Sequence, residues 1–339
     1  MMKYPIGIQT FSNIIQDGYV YVDKTDMVYS LANSGKIFFL SRPRRFGKSL
    51  LLSTLKSYFL GQKELFRGLK IDSLEKEWNV YPVFHLSFGK GIFSMPYELD
   101  KNLETFVAMG EREYGKDELA TTISERFAAV IKAAHKKTGR RAVVLIDEYD
   151  KPLLDVMDLE IFVEDESGNR RKLENYNREL LKGFYGVFKD ADEDLQFVFL
   201  TGVTKFSQVS VFSGFNQPDD ISLDEKYESL CGITKEELLT VFDKPIRSLA
   251  STKNKSYEDM VAMLTEKYDG YHFSSKMTGI FNPFSILNCF SKNDMRNYWF
   301  ASGTPGYLVR LLTHGNENIN ELVGKYYPAE MFIDYKADV

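Results

Sequence analysis

Cysteine, net charge and long apolar runs are scarce in this sequence, and each scarcity excludes a class of protein. Only Cys231 and Cys289 are cysteines, which excludes a disulfide scaffold or a four-cysteine zinc site and fits a reducing cytoplasm. The 43 Lys and Arg against 48 Asp and Glu give a net charge of −5, so no chain-wide basic coat for nucleic acid exists. No apolar run approaches the roughly 18 residues of a membrane helix, and the first residues do not resemble a signal peptide. We therefore expect a cytoplasmic protein without membrane contact.

The remaining composition is that of an ordinary globular protein. Hydrophobic residues make up 44% of the 339 residues and aromatic residues 14%, which is ample for a large core. At about 100–200 residues per domain, the length predicts two domains, placed at 1–224 and 225–339. The first alternates apolar segments with helical patterns, which favours an α/β fold with a mostly parallel sheet flanked by helices. In the second, capping signals at Thr234 and Asn282 predict a smaller, mostly helical domain.

Five short apolar segments are the predicted strands of this sheet. The segments at 36–41 and 195–201 are predicted to be buried strands, and 142–146 is uninterrupted and rich in β-branched residues. All five lie at 36–41, 81–88, 142–146, 195–201 and 221–223.

Longer segments between these strands have helical or loop character. The patterns predict helices within 50–60, 96–137 and 176–188, and a solvated loop over the charge-rich segment 155–175.

The segment after the first predicted strand has the residues of a phosphate-binding loop, and it runs directly into an apolar helical pattern. In such a loop the backbone N–H groups around Gly47 would surround the phosphates. The Lys48 ammonium would reach the β- and γ-phosphates, and the Ser49 hydroxyl would bind Mg²⁺. The general consensus has glycine where this chain has Arg42. The alternative interpretation is a basic surface turn with a solvated Lys48.

Two adjacent carboxylates, Asp147 and Glu148, follow the most apolar predicted strand. In a P-loop ATPase the first acid helps to hold Mg²⁺, and the second activates the attacking water as a general base. A polar strand end at the surface is the alternative. The acidic pair and the phosphate loop support each other, because one site needs both.

A third strand end adds polar candidates. Segment 195–200 leads into Thr201, Gly202, Val203, Thr204 and Lys205. ATPases with a catalytic glutamate commonly place a strand between those of the two motifs, and its polar end touches the attacking water or the γ-phosphate. Thr201 is the first candidate, with Thr204 and Lys205 behind it. A glycine turn after a strand is the alternative for each.

These motifs belong to a larger set of recognisable blocks, at 21–25, 40–50, 146–152, 200–206, 230–234, 268–273, 281–287 and 298–305. With them the chain resembles the AAA-ATPase-like family of bacterial P-loop proteins, in which the arginine-rich loop is itself the usual pattern. The resemblance implies an ATP-binding core, followed by a helical or winged-helix-like region. In related ATPases a residue of the C-terminal domain can reach the phosphates, which makes His272 a candidate; a structural histidine is the alternative.

Motifs and resemblance together define a predicted site for ATP and Mg²⁺. The predicted nucleotide-binding residues are Arg44, Arg45, Phe46, Gly47, Lys48, Ser49, Leu50 and His272. The predicted catalytic residues are Glu148, Thr201 and Lys205, and the predicted metal ligands are Ser49 and Asp147. Arg44 and Arg45 would pair with phosphate oxygens or carboxylates, or be solvated surface arginines.

The resemblance also suggests partners. Members often carry a further C-terminal domain similar to restriction-endonuclease-like nucleases, so we expect a truncated chain or a natural short form. Nucleic acid, or a nuclease domain in trans or in a longer chain, is then a candidate partner in a mobile-element or defence context. No arginine finger can be assigned; Arg178 and Arg247 are candidates only as arginines after the acidic strand. A finger supplied in trans would require a homo-oligomer.

Three functions fit this pattern. The first is a Mg²⁺-dependent ATPase that couples hydrolysis to a conformational change, favoured by a glutamate suited to activating water. The second is a nucleotide-gated signalling or scaffold module with very slow hydrolysis, favoured by the lack of an assignable arginine finger. The third is a small-molecule kinase, which the arginines near 170–178 leave open and which needs an acceptor pocket.

Overall fold

A five-stranded sheet lies at the centre of this computed structural model, which describes residues 2–164, 168–205 and 218–299. All of its strand pairs are parallel, so the predicted α/β fold with a mostly parallel sheet is confirmed. Its strands are β1 (Ile37–Ser41), β2 (Val83–Ser87), β3 (Ala142–Asp147), β6 (Leu195–Gly202) and β7 (Asp219–Asp220), in the order β2-β3-β6-β1-β7. Two antiparallel pairs lie outside it: β4 (Phe162–Glu164) with β5 (Arg170–Lys172), and β8 (Ile233–Thr234) with β9 (Ile280–Phe281).

Helices precede, separate and follow the strands. Those up to the end of the sheet are α1 (Phe11–Gln16), α2 (Thr25–Ala32), α3 (Lys48–Phe59), α4 (Lys70–Leu74), α5 (Glu98–Tyr114), α6 (Ile123–Thr138), α7 (Lys151–Leu154) and α8 (Leu173–Asp190). Those that follow it are α9 (Lys235–Val241), α10 (Asp243–Thr252), α11 (Tyr257–Tyr268) and α12 (Pro283–Lys292). Within the described ranges, none of these helices is long and apolar enough to cross a membrane.

Helices cover both faces of the sheet, which is why its three inner strands β1, β3 and β6 are nearly continuous apolar runs. In β3, Val144 and Ile146 face the cluster formed with α5, α6 and α8. Val143 and Leu145 face the opposite cluster, which contains α2 and α3. By the same alternation Asp147 lies on the α3 face.

Strand β6 lies between β1 and β3, as the sequence predicted for an ATPase with a catalytic glutamate. The register pairs Thr201 with both Asp147 and Leu40, and Gly202 with Ser41. Parallel strands end at one edge, so the carboxyl ends of β1, β3 and β6 meet there. A ligand of an open parallel sheet binds at such an edge.

Three local predictions were wrong in detail. Segment 221–223 is a 3₁₀ helix, because the Asp220 carboxylate accepts the Ser222 N–H and ends the strand. The predicted loop 155–175 contains the β4–β5 hairpin, whose Val163 packs with Leu173 in a small cluster. The helical stretch 96–137 is two helices, α5 and α6, separated at 115–122.

Residues after the sheet form two groupings. Helices α9 to α12 share a hydrophobic cluster of their own, to which Val20 and Val22 of the N-terminal segment are added. Leu230, Cys231 and Phe273, however, pack in the same cluster as α3. The domain division at 224 therefore stays a prediction, and 300–339 lie outside the described residues.

Candidate functional site

The loop between β1 and α3 contains two residues with positive φ before the helix begins. Gly47, the residue before the first turn of α3, has φ +94°. A Cβ at Gly47 would meet no atom within 4 Å, so the backbone conformation and not crowding favours glycine there. Arg45 also has a positive φ, of 69°. Non-glycine residues seldom adopt this conformation, and those that do cluster at functional sites.

The Lys48 ammonium is folded back onto this loop. Its Nζ donates to the carbonyl oxygens of Arg42 and Pro43 at 2.8 and 3.1 Å. The residue is 7% exposed, so Lys48 is buried and not a solvated surface lysine. Burial lowers the pKa of Lys48, while the negative charges of Asp150 and Asp147 act in the opposite direction.

Arg42 is buried and its side chain points away from the loop into the protein. The guanidinium donates to the carbonyl oxygens of Ser41, Ser222 and Tyr227 at 2.9, 2.7 and 3.2 Å. It also lies 4.0 Å from the centre of the Phe273 ring. The general consensus has glycine here to admit phosphate. In this chain the Arg42 side chain leaves that space free, because its guanidinium is held by the carbonyl oxygens of Ser222 and Tyr227.

The carboxyl end of β3 presents two carboxylates in unusual settings. Asp147 is 5% exposed, and its Oδ1 is buried without a hydrogen-bond partner among the described residues. Glu148 has φ 55° and is half-buried next to Gly89, where a Cβ would lie 3.3 Å from the Glu148 Oε2. Burial, and secondarily the charge of Asp147, raises the pKa of Glu148. A carboxyl group whose pKa is raised by burial and by a neighbouring charge, as that of Glu148 is, is typical of catalytic sites.

Thr201 lies directly beside Asp147 on the adjacent strand. It is fully buried, and its hydroxyl has no hydrogen-bond partner in the part of the chain that the structure describes. Two unpartnered buried oxygens, on paired residues of one sheet face, are costly unless a water, ion or ligand group joins them. This pair fits a hydrated Mg²⁺, for which Asp147 supplies the hard oxygen ligand that the ion prefers.

Asp150, which the sequence analysis did not single out, is buried between the ends of β3 and β6. Its Oδ2 accepts three hydrogen bonds, from the Val203 N–H, the Thr204 N–H and the Thr204 hydroxyl, at 2.7–2.8 Å. Gly202 lets the two strand ends approach, since a Cβ there would lie 2.6 Å from the Tyr149 ring. The sequence offered one indication of this role: Asp150 lies three residues after Asp147, within the recognisable block 146–152.

The remaining predicted loop residues differ in accessibility. Arg44 and Arg45 are exposed, and the Arg45 guanidinium lies 5.2 Å from the Phe284 ring centre. Phe46 is 1% exposed, and its ring packs against the rings of Tyr271 and Phe273. Ser49 and Leu50 are partly buried in the first turn of α3.

Two predicted residues outside the loop have other partners. Lys205 forms an ion pair with Asp220 at 2.8 Å, at the β7 edge of the sheet. His272 is exposed, with its Nδ1 3.2 Å from the Thr278 carbonyl oxygen. Its neighbour Tyr271 contacts the Phe46 ring at 4.7 Å between centroids, which brings the His272 segment to the loop.

The arginine-finger candidates are engaged within their own helices. Arg178 pairs with Glu174 in α8 at 2.5 Å, and Arg247 pairs with Asp243 in α10 at 3.0 Å. Neither contact points to the loop or the acidic strand end, so no finger is assigned.

One curated relative of the chain is the "Uncharacterized protein in vnfD 5'region" of Azotobacter chroococcum mcd 1. The two are 40% identical over 315 residues, which is 92% of this chain and 56% of the relative. The chain thus spans little more than half of that protein's length.

A family model described as "Predicted AAA-ATPase" matches residues 5–212. The matched region includes the loop between β1 and α3, the acidic end of β3 and the whole of β6. With the parallel sheet and the order of its strands, this match shows that the chain belongs to the AAA-ATPase-like family.

Proposed function

We propose that this protein binds ATP with Mg²⁺ and hydrolyses it, coupling hydrolysis to a conformational change. The observation that carries the proposal is the convergence of a buried ammonium, a buried carboxylate and a buried hydroxyl at one edge of the sheet. Lys48, Asp147 and Thr201 supply them, and two of the three groups have oxygens without partners among the described residues. Membership of a predicted AAA-ATPase family implies nucleotide binding in the same region.

Phosphate would bind in the hollow of the loop that Lys48 now fills. The first-turn N–H groups of α3 have no partners within the helix, and the helix dipole favours negative charge at that end. The Lys48 ammonium would leave the carbonyl oxygens of Arg42 and Pro43 and bind phosphate oxygens. Its burial strengthens that interaction, because water screens it less.

The metal would lie between the helix start and the strand end, held by the Ser49 hydroxyl and, through water, by Asp147. Bound Mg²⁺ neutralises phosphate charge and orients the phosphates. Glu148 would accept a proton from the attacking water as its oxygen bonds to the γ-phosphorus. The bond between that phosphorus and the β,γ-bridging oxygen breaks, ADP leaves, and Thr201 would donate to the water or to a γ-phosphate oxygen.

An apolar cavity that begins at Gly47 is suited to the base of the nucleotide. Its lining includes Val20, Val22, Leu50, Gly232 and Leu287. A flat, weakly polar ring is the part of a nucleotide that gains most from such walls. The N-terminal segment and the C-terminal helices would then both contact one bound ATP.

Two other candidate functions share the nucleotide site and differ in the step after ATP binding. A gated module would hold ATP and release phosphate very slowly, and a kinase would transfer the phosphoryl group to an acceptor in place of water. Single-turnover reactions with and without candidate acceptors separate the three. ADP and free phosphate formed at equal rates support the ATPase; phosphate retained in an acceptor supports the kinase.

Asp147→Asn is expected to weaken the Mg²⁺ dependence of ATP binding, with little effect on metal-free binding. The amide keeps the shape of the side chain but loses the charge that attracts the cation. Calorimetric titration with MgATP and with ATP in excess chelator gives the two affinities. A Mg²⁺ dependence equal to that of the wild type would remove Asp147 from the metal site.

The C-terminal region is expected to respond to the γ-phosphate. Tyr271 and Phe273 contact Phe46, so a change of the loop alters their packing. Hydrogen exchange of segment 268–275 should be slower with a non-hydrolysable ATP analogue than with ADP, because only differential affinity shifts such an equilibrium. Identical exchange would make the region a passive cap. Of the second predicted reporter segment, 298–305, only 298–299 lie among the described residues.

Nucleic acid, a nuclease domain and a homo-oligomer remain proposals about the setting of this activity. They rest on the family resemblance and on the absence of an assignable arginine finger. Single-turnover hydrolysis at increasing protein concentration tests the oligomer, since a finger in trans makes the rate depend on concentration.

A further inference from the structure

Arg42 links the phosphate loop to the segment that follows the sheet. Its guanidinium donates to the carbonyl oxygens of Ser222 and Tyr227. A longer contact of 3.5 Å joins it to the carbonyl oxygen of Glu228. The two terminal nitrogens of this buried cation make all of these contacts, which offset the cost of its burial, while its Nε has no partner among the described residues. Segment 222–228 provides acceptors that no other described side chain in the loop reaches.

The same segment holds the loop that carries His272. The Glu228 carboxylate accepts a hydrogen bond from the Ser274 hydroxyl and another from the Thr278 hydroxyl at 2.7 Å. The Thr278 carbonyl oxygen is the partner of His272. A continuous chain of polar contacts therefore runs from Arg42 through Glu228 to the His272 loop.

Lys48 contacts the backbone of Arg42, whereas segment 222–228 contacts its side chain. Its ammonium binds the Arg42 carbonyl oxygen, and an incoming phosphate would compete for that ammonium. The backbone of Arg42 thus loses a contact when phosphate binds, while the side chain of Arg42 stays attached to segment 222–228. Arg42 is the residue at which phosphate binding and the C-terminal segment meet.

Trp299 provides a separate contact between the two regions. Its indole N–H donates to the Arg44 carbonyl oxygen at 3.0 Å, and its ring lies 6.5 Å from the Tyr271 ring. Any movement of the loop backbone changes the surroundings of this indole. Only one other tryptophan, Trp78, is present in the sequence.

We propose that Arg42 is a positioning residue that sets the phosphate-binding conformation of the loop and transmits nucleotide binding to the C-terminal segment. This coupling rests on the proposed nucleotide binding. Arg42 is the residue that would connect the site to segments 222–228 and 269–281. Arginine in place of the consensus glycine is then a working part of this loop.

The test uses the full chain with Trp78→Phe, so that Trp299 is the sole tryptophan and can be excited selectively. Arg42→Met keeps most of the side-chain volume and removes the guanidinium, Arg42→Lys keeps a cation with fewer donors, and Arg67→Met is a control on an exposed arginine. ATP affinity is measured by calorimetry and the Trp299 emission change by fluorescence. Thermal unfolding checks that each variant is folded.

With Arg42→Met we expect ATP affinity to fall about tenfold, or about 1.4 kcal/mol, and the Trp299 response to be lost even at saturating ATP. Arg42→Lys should restore part of both, and Arg67→Met should change neither. If Arg42→Met does not fold, the Trp299 response of Arg42→Lys to ATP decides. A reduced response supports the proposal, and a response equal to that of the wild type overturns it.

Unchanged affinity and an unchanged Trp299 response in folded Arg42→Met would also overturn it. So would a Trp78→Phe protein that binds ATP by calorimetry without any change of Trp299 emission. In these cases the proposed nucleotide binding stands. Only a wild-type protein that binds no ATP would remove both proposals together.

Discussion

Lys48→Ala is expected to reduce ATP affinity by at least one to two orders of magnitude. Charge-assisted hydrogen bonds of this kind contribute about 1.5–3 kcal/mol each, and about 1.4 kcal/mol corresponds to a tenfold change in Kd. The ammonium is buried in the loop, so bulk water screens the lost interaction only weakly.

Calorimetric titration of ATP against wild type and Lys48→Ala makes the measurement. Lys63→Ala is the matched control, because Lys63 is an exposed lysine of the following 3₁₀ turn. Equal affinity in wild type and Lys48→Ala would mean that the loop does not bind phosphate, whatever its shape.

Glu148→Gln is expected to bind ATP normally and to turn it over about 10²–10⁴-fold more slowly. Glutamine preserves the size of the side chain and removes only the carboxylate that accepts the proton of water. Single-turnover phosphate release is the readout, and Glu118→Gln, on an exposed glutamate, is the control. Hydrolysis at the wild-type rate would place the base elsewhere.

The pH dependence of the wild type gives an independent check on Glu148. Burial and the charge of Asp147 raise the pKa of Glu148. The base is protonated below that pKa, so the rate should rise with pH along a limb displaced upward from the value of about 4.3 for a solvated glutamate. Asp147→Asn removes the neighbouring negative charge and should move this limb downward.

The phosphate loop and the acidic strand end could be predicted because their signals are local. Four or more consecutive apolar residues before Asp147, and again before Ser41, leave little choice but a buried strand. Gly47 and Lys48 then begin the helix that the apolar pattern requires. The antiparallel pair of β4 and β5 was not predicted because three-residue strands have no period to detect.

The roles of individual polar residues were harder to predict. The place of Thr201 at a strand end predicts a contact with the attacking water or the γ-phosphate. The structure pairs Thr201 with Asp147 on the neighbouring strand. Asp150 was not predicted, because the sequence around a carboxylate in a turn does not tell whether it is solvated. In the structure Asp150 accepts hydrogen bonds at the end of the adjacent strand β6.

By itself the sequence determined the order of the elements, the α/β class and the residue types available for phosphate and metal. These follow from hydrophobic period and short motifs, which act over a few residues. Only the tertiary structure decided where Arg42 and Trp299 go. Arg42 finds its acceptors about 180 residues along the chain, at Ser222 and Tyr227, and Trp299 reaches back to Arg44. Such contacts depend on which distant backbone carbonyls are left unpaired after folding, and no local pattern encodes that.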